Sequence, residues 1–154
     1  MNNYLSIITL NVNGLNAPIK RHRIAEWIRK HDLHIYCLQE THLRTKDVHT
    51  LKVKGSKQIF QANGQEKKKA GVAILISDKI DFQRRTIKRD PEDHFIILKG
   101  RIHQENINIV NIYAPNIGAP KYIKKILEHF KKDIDSNTII VGAVSYTHLR
   151  AHET

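Results

Sequence analysis

Cysteine is nearly absent from this sequence. Its 154 residues hold one, Cys37, so no internal disulfide can form, and a reducing, intracellular setting is the simplest expectation. Long apolar runs are missing as well. None approaches the roughly 20 residues that a bilayer-spanning helix requires. No basic helix with a bulky aromatic face offers a surface anchor, so no membrane partner is expected. Met1-Asn2-Asn3-Tyr4 lacks the basic-then-apolar order of a secretory leader. No internal repeat and no low-complexity linker divides the chain. Acidic residues are scarce, 15 against 26 Lys and Arg, which leaves a formal charge of +11. That excess favours a polyanionic partner, with nucleic acid ahead of an anionic membrane surface. The 40% hydrophobic content is enough for one domain with its own core.

The apolar residues fall into short runs. Leu5–Leu10, His34–Gln39, Gln58–Ala62, Gly71–Ser77, Phe82–Lys88, Phe95–Ile102 and Ile107–Tyr113 read as strands, and Thr138–Val141 begins another. A hairpin is expected around Gln104-Glu105-Asn106. Two helices are expected. The first runs from about Ile19 to Lys30 with Ile19, Ile24, Trp27 and Ile28 as its apolar stripe. The second runs from about Lys121 to Ile134 with Tyr122, Ile123, Ile126, Leu127, Phe130 and Ile134 on one side. Two helices among seven or eight strands, many consecutive, give an α+β layered fold class.

Several of these strands end in polar clusters: Asn11-Val12-Asn13, Gln39-Glu40-Thr41 and Tyr113-Ala114-Pro115-Asn116. Ligand sites gather at one end of packed strands, where loops present side chains from a rigid base. A carboxylate such as Glu40 can bind a hard cation, and Mg²⁺ takes only one or two carboxylates beside water and phosphate oxygens. An Asn amide can orient a phosphate, and a Tyr hydroxyl can donate to a non-bridging oxygen. Singly, each has a plainer reading as a turn residue, a solvated acid or a core aromatic.

In this order and spacing, Thr9-Leu10-Asn11-Val12-Asn13-Gly14-Leu15, Cys37-Leu38-Gln39-Glu40-Thr41-His42, Ala70-Gly71-Val72-Ala73-Ile74-Leu75 and Asn111-Ile112-Tyr113-Ala114-Pro115-Asn116 resemble the endonuclease/exonuclease/phosphatase superfamily. The wording is nearest the endonuclease domain that opens the reverse-transcriptase protein of LINE-type retrotransposons. The resemblance implies part of a four-layer α/β sandwich, two facing mixed β-sheets with outer helices, lacking its C-terminal half. It implies Mg²⁺-dependent cleavage of a DNA phosphodiester, nicking a duplex target so that reverse transcription can be primed. Carried over by position, Glu40 is the metal carboxylate, Asn11 orients the metal shell and scissile phosphate, and Asn13 adjoins it. Tyr113 stabilises charge building on the phosphate, and Asn116 sits near the DNA backbone. Lys20, Arg21, Arg23 and Lys67 to Lys69 are candidate backbone contacts, which position a duplex without reading it. The chain is expected to be a monomer, and nuclear if it acts on host DNA.

The departure from the pattern is as informative. Family members follow Ile-Ile-Val-Gly with Asp-Phe-Asn; here Gly142 is followed by Ala143-Val144-Ser145. Neither a methyl nor a hydroxyl can serve as a carboxylate base at neutral pH. The later Asp and the Ser-Asp-His block are also absent. Residues 1–142 are therefore expected to be the family part and 143–154 an unrelated tail, from a truncated copy, a frame change or a joined foreign sequence. No cleavage is expected as written; the alternative function is a non-catalytic, basic nucleic-acid-binding remnant. His148 and His152 are spaced i, i+4, but Leu149 stands where a zinc protease carries Glu. His31 and His34 have no partner cysteines, and Cys37 reads as a small buried hydrophobe. A fragment with one sheet and part of the other would leave several hundred Å² of apolar surface wet. At ~25 cal/mol per Å² that forfeits on the order of 10 kcal/mol, so marginal folding is expected.

Overall fold

β-branched and aliphatic runs that alternate with turn residues organise the chain. The computed structural model describes residues 5–43, 52–56, 58–62, 71–90, 94–114 and 119–144. In order these form β1 (Ile7–Asn11), α1 (Pro18–His31), β2 (Ile35–Gln39), β3 (Gln58–Ala62), β4 (Val72–Ile76), β5 (Phe82–Arg89), β6 (Phe95–Ile102), β7 (Glu105–Ala114), α2 (Ala119–His129) and β8 (Thr138–Val144). They build two four-stranded sheets, ordered β1-β2-β4-β3 and β5-β6-β7-β8. β1 and β2 are parallel, and so are β7 and β8; the other neighbours are antiparallel. Parallel neighbours need a crossover, and α1 and α2 supply the two crossovers.

Burial follows the layers. The inner faces meet through Ile35, Cys37, Ile74 and Ile76 on one side and Ile96, Leu98 and Ile109 on the other. The opposite faces of β2 and β4 present Tyr36, Leu38 and Leu75 to Ile28, Ile24 and Trp27 of α1. Phe95, Ile97, Val110 and Ile112 of the second sheet lie under Tyr122, Ile126 and Phe130 of α2. Helix, sheet, sheet, helix is a four-layer α+β sandwich. β2 and β4 are covered on both faces and buried at every position, which is why they read as continuous apolar runs.

Several sequence-based expectations shift. Ile19, placed on the apolar stripe of α1, is 62% exposed in the first turn, where the helix has not yet reached the sheet. α2 stops at His129, and Lys131–Asp133 forms a 3₁₀ turn that redirects the chain into β8. The β6–β7 hairpin turns on His103 and Gln104, both at positive φ, with Ile102 opposite Glu105. That is a two-residue turn, one residue earlier than the composition suggested. The wide wet face is also corrected. Both sheets have four strands and cover one another, and Ile19 and Ile140 are the large apolar side chains left exposed among the described residues. No described helix is long and apolar enough to cross a membrane.

Candidate active site

The parallel pairing of β1 with β2 brings their C-terminal ends level, with Asn11 opposite Gln39. The chain continues this pairing into the loops. Val12 N donates to Gln39 O (3.0 Å), Gly14 N to Glu40 O (2.6 Å) and Leu15 N to Thr41 O (2.8 Å). The loops are thereby zipped together, with Leu15, Thr41 and Leu43 fully buried beneath them.

On this base the Asn11 side-chain Nδ2 donates to Glu40 Oε2. Asn11 Oδ1 in turn accepts from Asn13 N at 3.1 Å, an Asx turn that holds the amide in place. Glu40 Oε1 lies 3.5 Å from His42 Nε2, and the Glu40 side chain is only 15% exposed. Asn13, Glu40 and His42 all take positive φ, between +55° and +57°. This conformation is uncommon for residues with a Cβ and gathers at functional sites. Gly14 sits at φ +91°, and a Cβ there would meet His42 Nδ1 at 3.0 Å.

Tyr113 lies on the other sheet and packs in the core cluster between the two. Two residues before it, on the same face of β7, Asn111 donates to Leu38 O (3.1 Å) and Ala73 O (3.0 Å). The end of β7 therefore lies against the ends of β2 and β4. Tyr113 is 8% exposed, and its N–H donates to His94 O at 2.7 Å. In the parallel register of β7 with β8, position 143 stands opposite Tyr113. The backbone thus brings position 143 to the rim, and the residue there is Ala. β8 runs to Val144, two residues beyond Gly142.

The candidate cations have local duties. Lys20 Nζ donates to Asn13 O (2.5 Å), and Arg21 Nη1 to Leu15 O (2.9 Å) and Asn16 O (2.6 Å). Both therefore brace the β1–α1 loop from the first turn of α1. Asn116 and Lys67 to Lys69 lie outside the described residues, as do His148 and His152. His34 Nδ1 accepts from Ser6 N at 3.0 Å, and His31 stacks on Trp27 at 3.9 Å, so both have structural partners. Cys37 is fully buried, and burial pushes its thiol up to about 12, which rules out a ready nucleophile.

Three residues at or beneath the rim were not singled out from the sequence: His42, Gln39 and Asn111. The last carried a signal, though not for its partner. Period-two counting along β7 puts Asn111 on the inward face with Tyr113, where an apolar residue is expected. Among the described residues no group of three or more His, Cys, Asp or Glu side chains could hold a metal. A cation here would rest on Glu40 and amide or solvent oxygens.

Comparison with known proteins places the fold. A protein of transposon TX1 from Xenopus laevis, an uncharacterized 149 kDa protein, is 27% identical over 146 residues, which are 93% of this chain and 11% of that protein. Zebrafish TDP2, solved with a single-strand DNA product, superposes with a TM-score of 0.70 at 16% identity, covering 93% of this chain and 60% of that one. The AP endonuclease LMAP of Leishmania major superposes with a TM-score of 0.65 at 17% identity, covering 88% and 54%. The chain thus spans little more than half of these solved structures and about a tenth of the transposon protein. The profile described as the Endonuclease/Exonuclease/phosphatase family matches residues 8–144, and the chain belongs to that family.

Proposed function

We propose that the rim formed by Asn11, Glu40 and Tyr113 is the cation and phosphate site of a Mg²⁺-dependent DNA phosphodiesterase, one that in this chain binds DNA without cutting it. The observation that carries the reading is the Asn11–Glu40 contact at the shared end of β1 and β2. It joins a carboxylate and an amide at the end of the first sheet, and the end of β7, which carries Tyr113, lies against β2 and β4. The groups that would hold the ion, the Glu40 carboxylate and amide or solvent oxygens, are oxygen donors with no thiolate at the rim, and such a set suits Mg²⁺. Glu40 would hold the ion, with Asn11 orienting that carboxylate. When bound, Mg²⁺ supplies Lewis-acid polarisation of a phosphoryl oxygen.

The chain's own residues do the rest. The Tyr113 hydroxyl donates to a non-bridging oxygen, and Asn13 flanks the phosphate. Lys20 and Arg21 hold the loop that carries Asn13 and keep positive charge beside the rim. A duplex partner fits the excess of +11, because backbone neutralisation dominates such binding. The transposon relative favours DNA targeted for insertion, which would place the protein in the nucleus. Hydrolysis also needs a group to take a proton from the attacking water. Position 143, opposite Tyr113, offers only a methyl, which favours the reading of a binding remnant over that of a working nuclease.

The deciding experiment incubates the chain with supercoiled plasmid and Mg²⁺ and follows both binding and nicking. Salt-sensitive binding without nicking is expected. Nicking that disappears in Glu40→Ala would overturn the non-cleaving assignment, and absence of binding at low salt would overturn the DNA site itself.

A further inference from the structure

The core between the two sheets is largely apolar, with a fully buried polar pair immediately beneath the rim. Gln39 and Asn111 meet there, both fully buried. Gln39 Nε2 donates to Thr9 Oγ1 at 2.7 Å and to Asn111 Oδ1 at 2.8 Å. Asn111 Nδ2 donates onward to the carbonyls of Leu38 and Ala73. The chain of bonds runs from β1 through β2 and β4 to β7, and so crosses from one sheet to the other.

Its members are placed in step with the rim. Thr9 lies two residues before Asn11 on one face of β1, and Asn111 two before Tyr113 on one face of β7. Gln39 directly precedes Glu40. Every strand that supplies a rim residue therefore also supplies a member of the crossbar. Residues two apart in a strand share a face, so the crossbar lies directly behind Asn11 and Tyr113, and Gln39 adjoins Glu40 along the chain.

Stability alone is a poor reason for this bridge. Gln39 Oε1 is buried with no hydrogen-bond partner among the described residues, which is a net cost. An apolar pair of similar shape can replace a buried polar pair with little loss. What apolar contacts cannot supply is direction. They are non-directional and let facing sheets slide, whereas hydrogen bonds fix angle as well as distance.

We propose that Gln39 and Asn111 are positioning residues that lock the two sheets in register, so that Glu40 with Asn11 from one sheet and Tyr113 from the other face a single cation and phosphate. The proposal rests on the cation–phosphate reading above. Its test compares Gln39→Leu and Asn111→Leu in the full chain with Asn108→Leu. Asn108 is a buried Asn near the other end of β7, bonded to Asp133 O, Asp135 Oδ1 and Thr138 Oγ1. Two readouts are taken: Mn²⁺ affinity by electron paramagnetic resonance, and the nuclear Overhauser contact between the Asn11 side-chain amide and the Glu40 methylenes.

Both crossbar variants are expected to weaken Mn²⁺ binding by about tenfold, the size seen when groups that orient a metal ligand are removed. They are also expected to lose the Asn11–Glu40 contact, while Asn108→Leu keeps both. Crossbar variants that retain affinity and contact overturn the proposal, as does an equal loss in Asn108→Leu. Where a leucine variant fails to fold, Gln39→Asn and Asn111→Gln are read singly and together. The singles should lose the contact and the pair, which restores the summed length, should regain it; a pair no better than the singles refutes the crossbar. If the parent chain binds no Mn²⁺, the cation reading falls, and the Asn11–Glu40 contact alone decides the crossbar.

Discussion

At the scale of single residues, unusual backbone gathers at the rim. Asn13, Gly14, Glu40 and His42 all lie in the left-handed region, within the two zipped loops that form the rim. At Gly14 both the backbone and a neighbour oppose a side chain. Its φ of +91° and the 3.0 Å approach of His42 Nδ1 both oppose a Cβ. Gly14→Ala should destabilise the chain by about 1 kcal/mol or more, read as a lower midpoint in urea. The same substitution at Gly55 serves as a comparison, because φ is again +91° but nothing lies within 4 Å, so only the backbone strain remains. Equal losses at the two sites would mean that His42 is not held against Gly14.

Tyr36 is a second residue with a single defined duty. Its hydroxyl accepts from Leu33 N (2.6 Å) and donates to Ile28 O (2.9 Å), which closes the C-terminal end of α1 onto β2. Tyr36→Phe leaves both backbone groups without that partner and should cost about 1–3 kcal/mol. An unchanged denaturation midpoint would show that water substitutes for the hydroxyl. Cys37, in the adjoining position, offers the probe. Its raised thiol pKa makes it inert to thiol reagents at neutral pH in the folded chain, so its labelling rate should track unfolding in both variants.

At the scale of elements, the second crossover depends on Asp133. Its carboxylate receives Lys88 Nζ at 2.8 Å and Lys99 Nζ at 2.6 Å, from β5 and β6 respectively. Its backbone O accepts from Asn108. The turn after α2 is thereby clamped to the sheet that α2 covers. Hydrogen bonds from Lys88 and then Lys99 hold the Asp133 carboxyl below the usual carboxylate range. A group whose folded pKa is depressed contributes stability that is fully present above its unfolded pKa, near 3.9, and that is lost as pH falls through the folded pKa. Stability should therefore fall as pH drops below about 4. Replacing both Lys88 and Lys99 with Met should flatten that acid limb in urea titrations repeated across pH. A limb unchanged in the double variant would assign it to other carboxylates.

The elements also show what was legible in the sequence. The strands and both helices could be read because β-branched runs and helical stripes are local patterns. α1 ends at His31 where a Lys30 end was expected, and β3 and β6 have the expected limits. Glu40, Asn11 and Tyr113 could be read because each follows or ends an apolar run in a recognisable block. The crossbar could not. The Gln39–Asn111 bond joins residues 72 positions apart, and nothing local announces which sheet will face which. The clamp on Asp133 was hidden for the same reason, with lysines 45 and 34 residues upstream on other strands. Ile19 was misplaced because helical periodicity gives a stripe but not where the helix first touches the sheet.

At the scale of the whole molecule, two properties decide behaviour: charge and edges. The excess of +11 should make DNA affinity fall steeply with salt, because each neutralised phosphate contributes about −0.9 to the slope of log K against log salt for duplex DNA. A slope steeper than about −2 is expected from filter-binding between 50 and 200 mM salt, and a flat line would show that the excess charge does not engage the backbone. The edges argue in the opposite direction, toward self-association. β1 pairs only with β2 and β8 only with β7 among the described residues, and each leaves a row of backbone groups unpaired there. The two strands lie near one another, so both sheets are open along a common side where Ile140 is 44% exposed. Unpaired edges of this kind template further strands. The facing sheets nonetheless bury their inner surfaces on each other, so the loss relative to a closed sandwich is confined to this border. Backbone amides of β1 and β8 should then exchange with deuterium well before those of β2, β4 and β6, whose neighbours flank both sides. Binding of a hydrophobic dye should fall when Ile140→Lys places a charge on the open side. Protection in β1 and β8 equal to that of β2 would mean that the border is already covered in solution, and that self-association rather than an open edge governs the isolated chain.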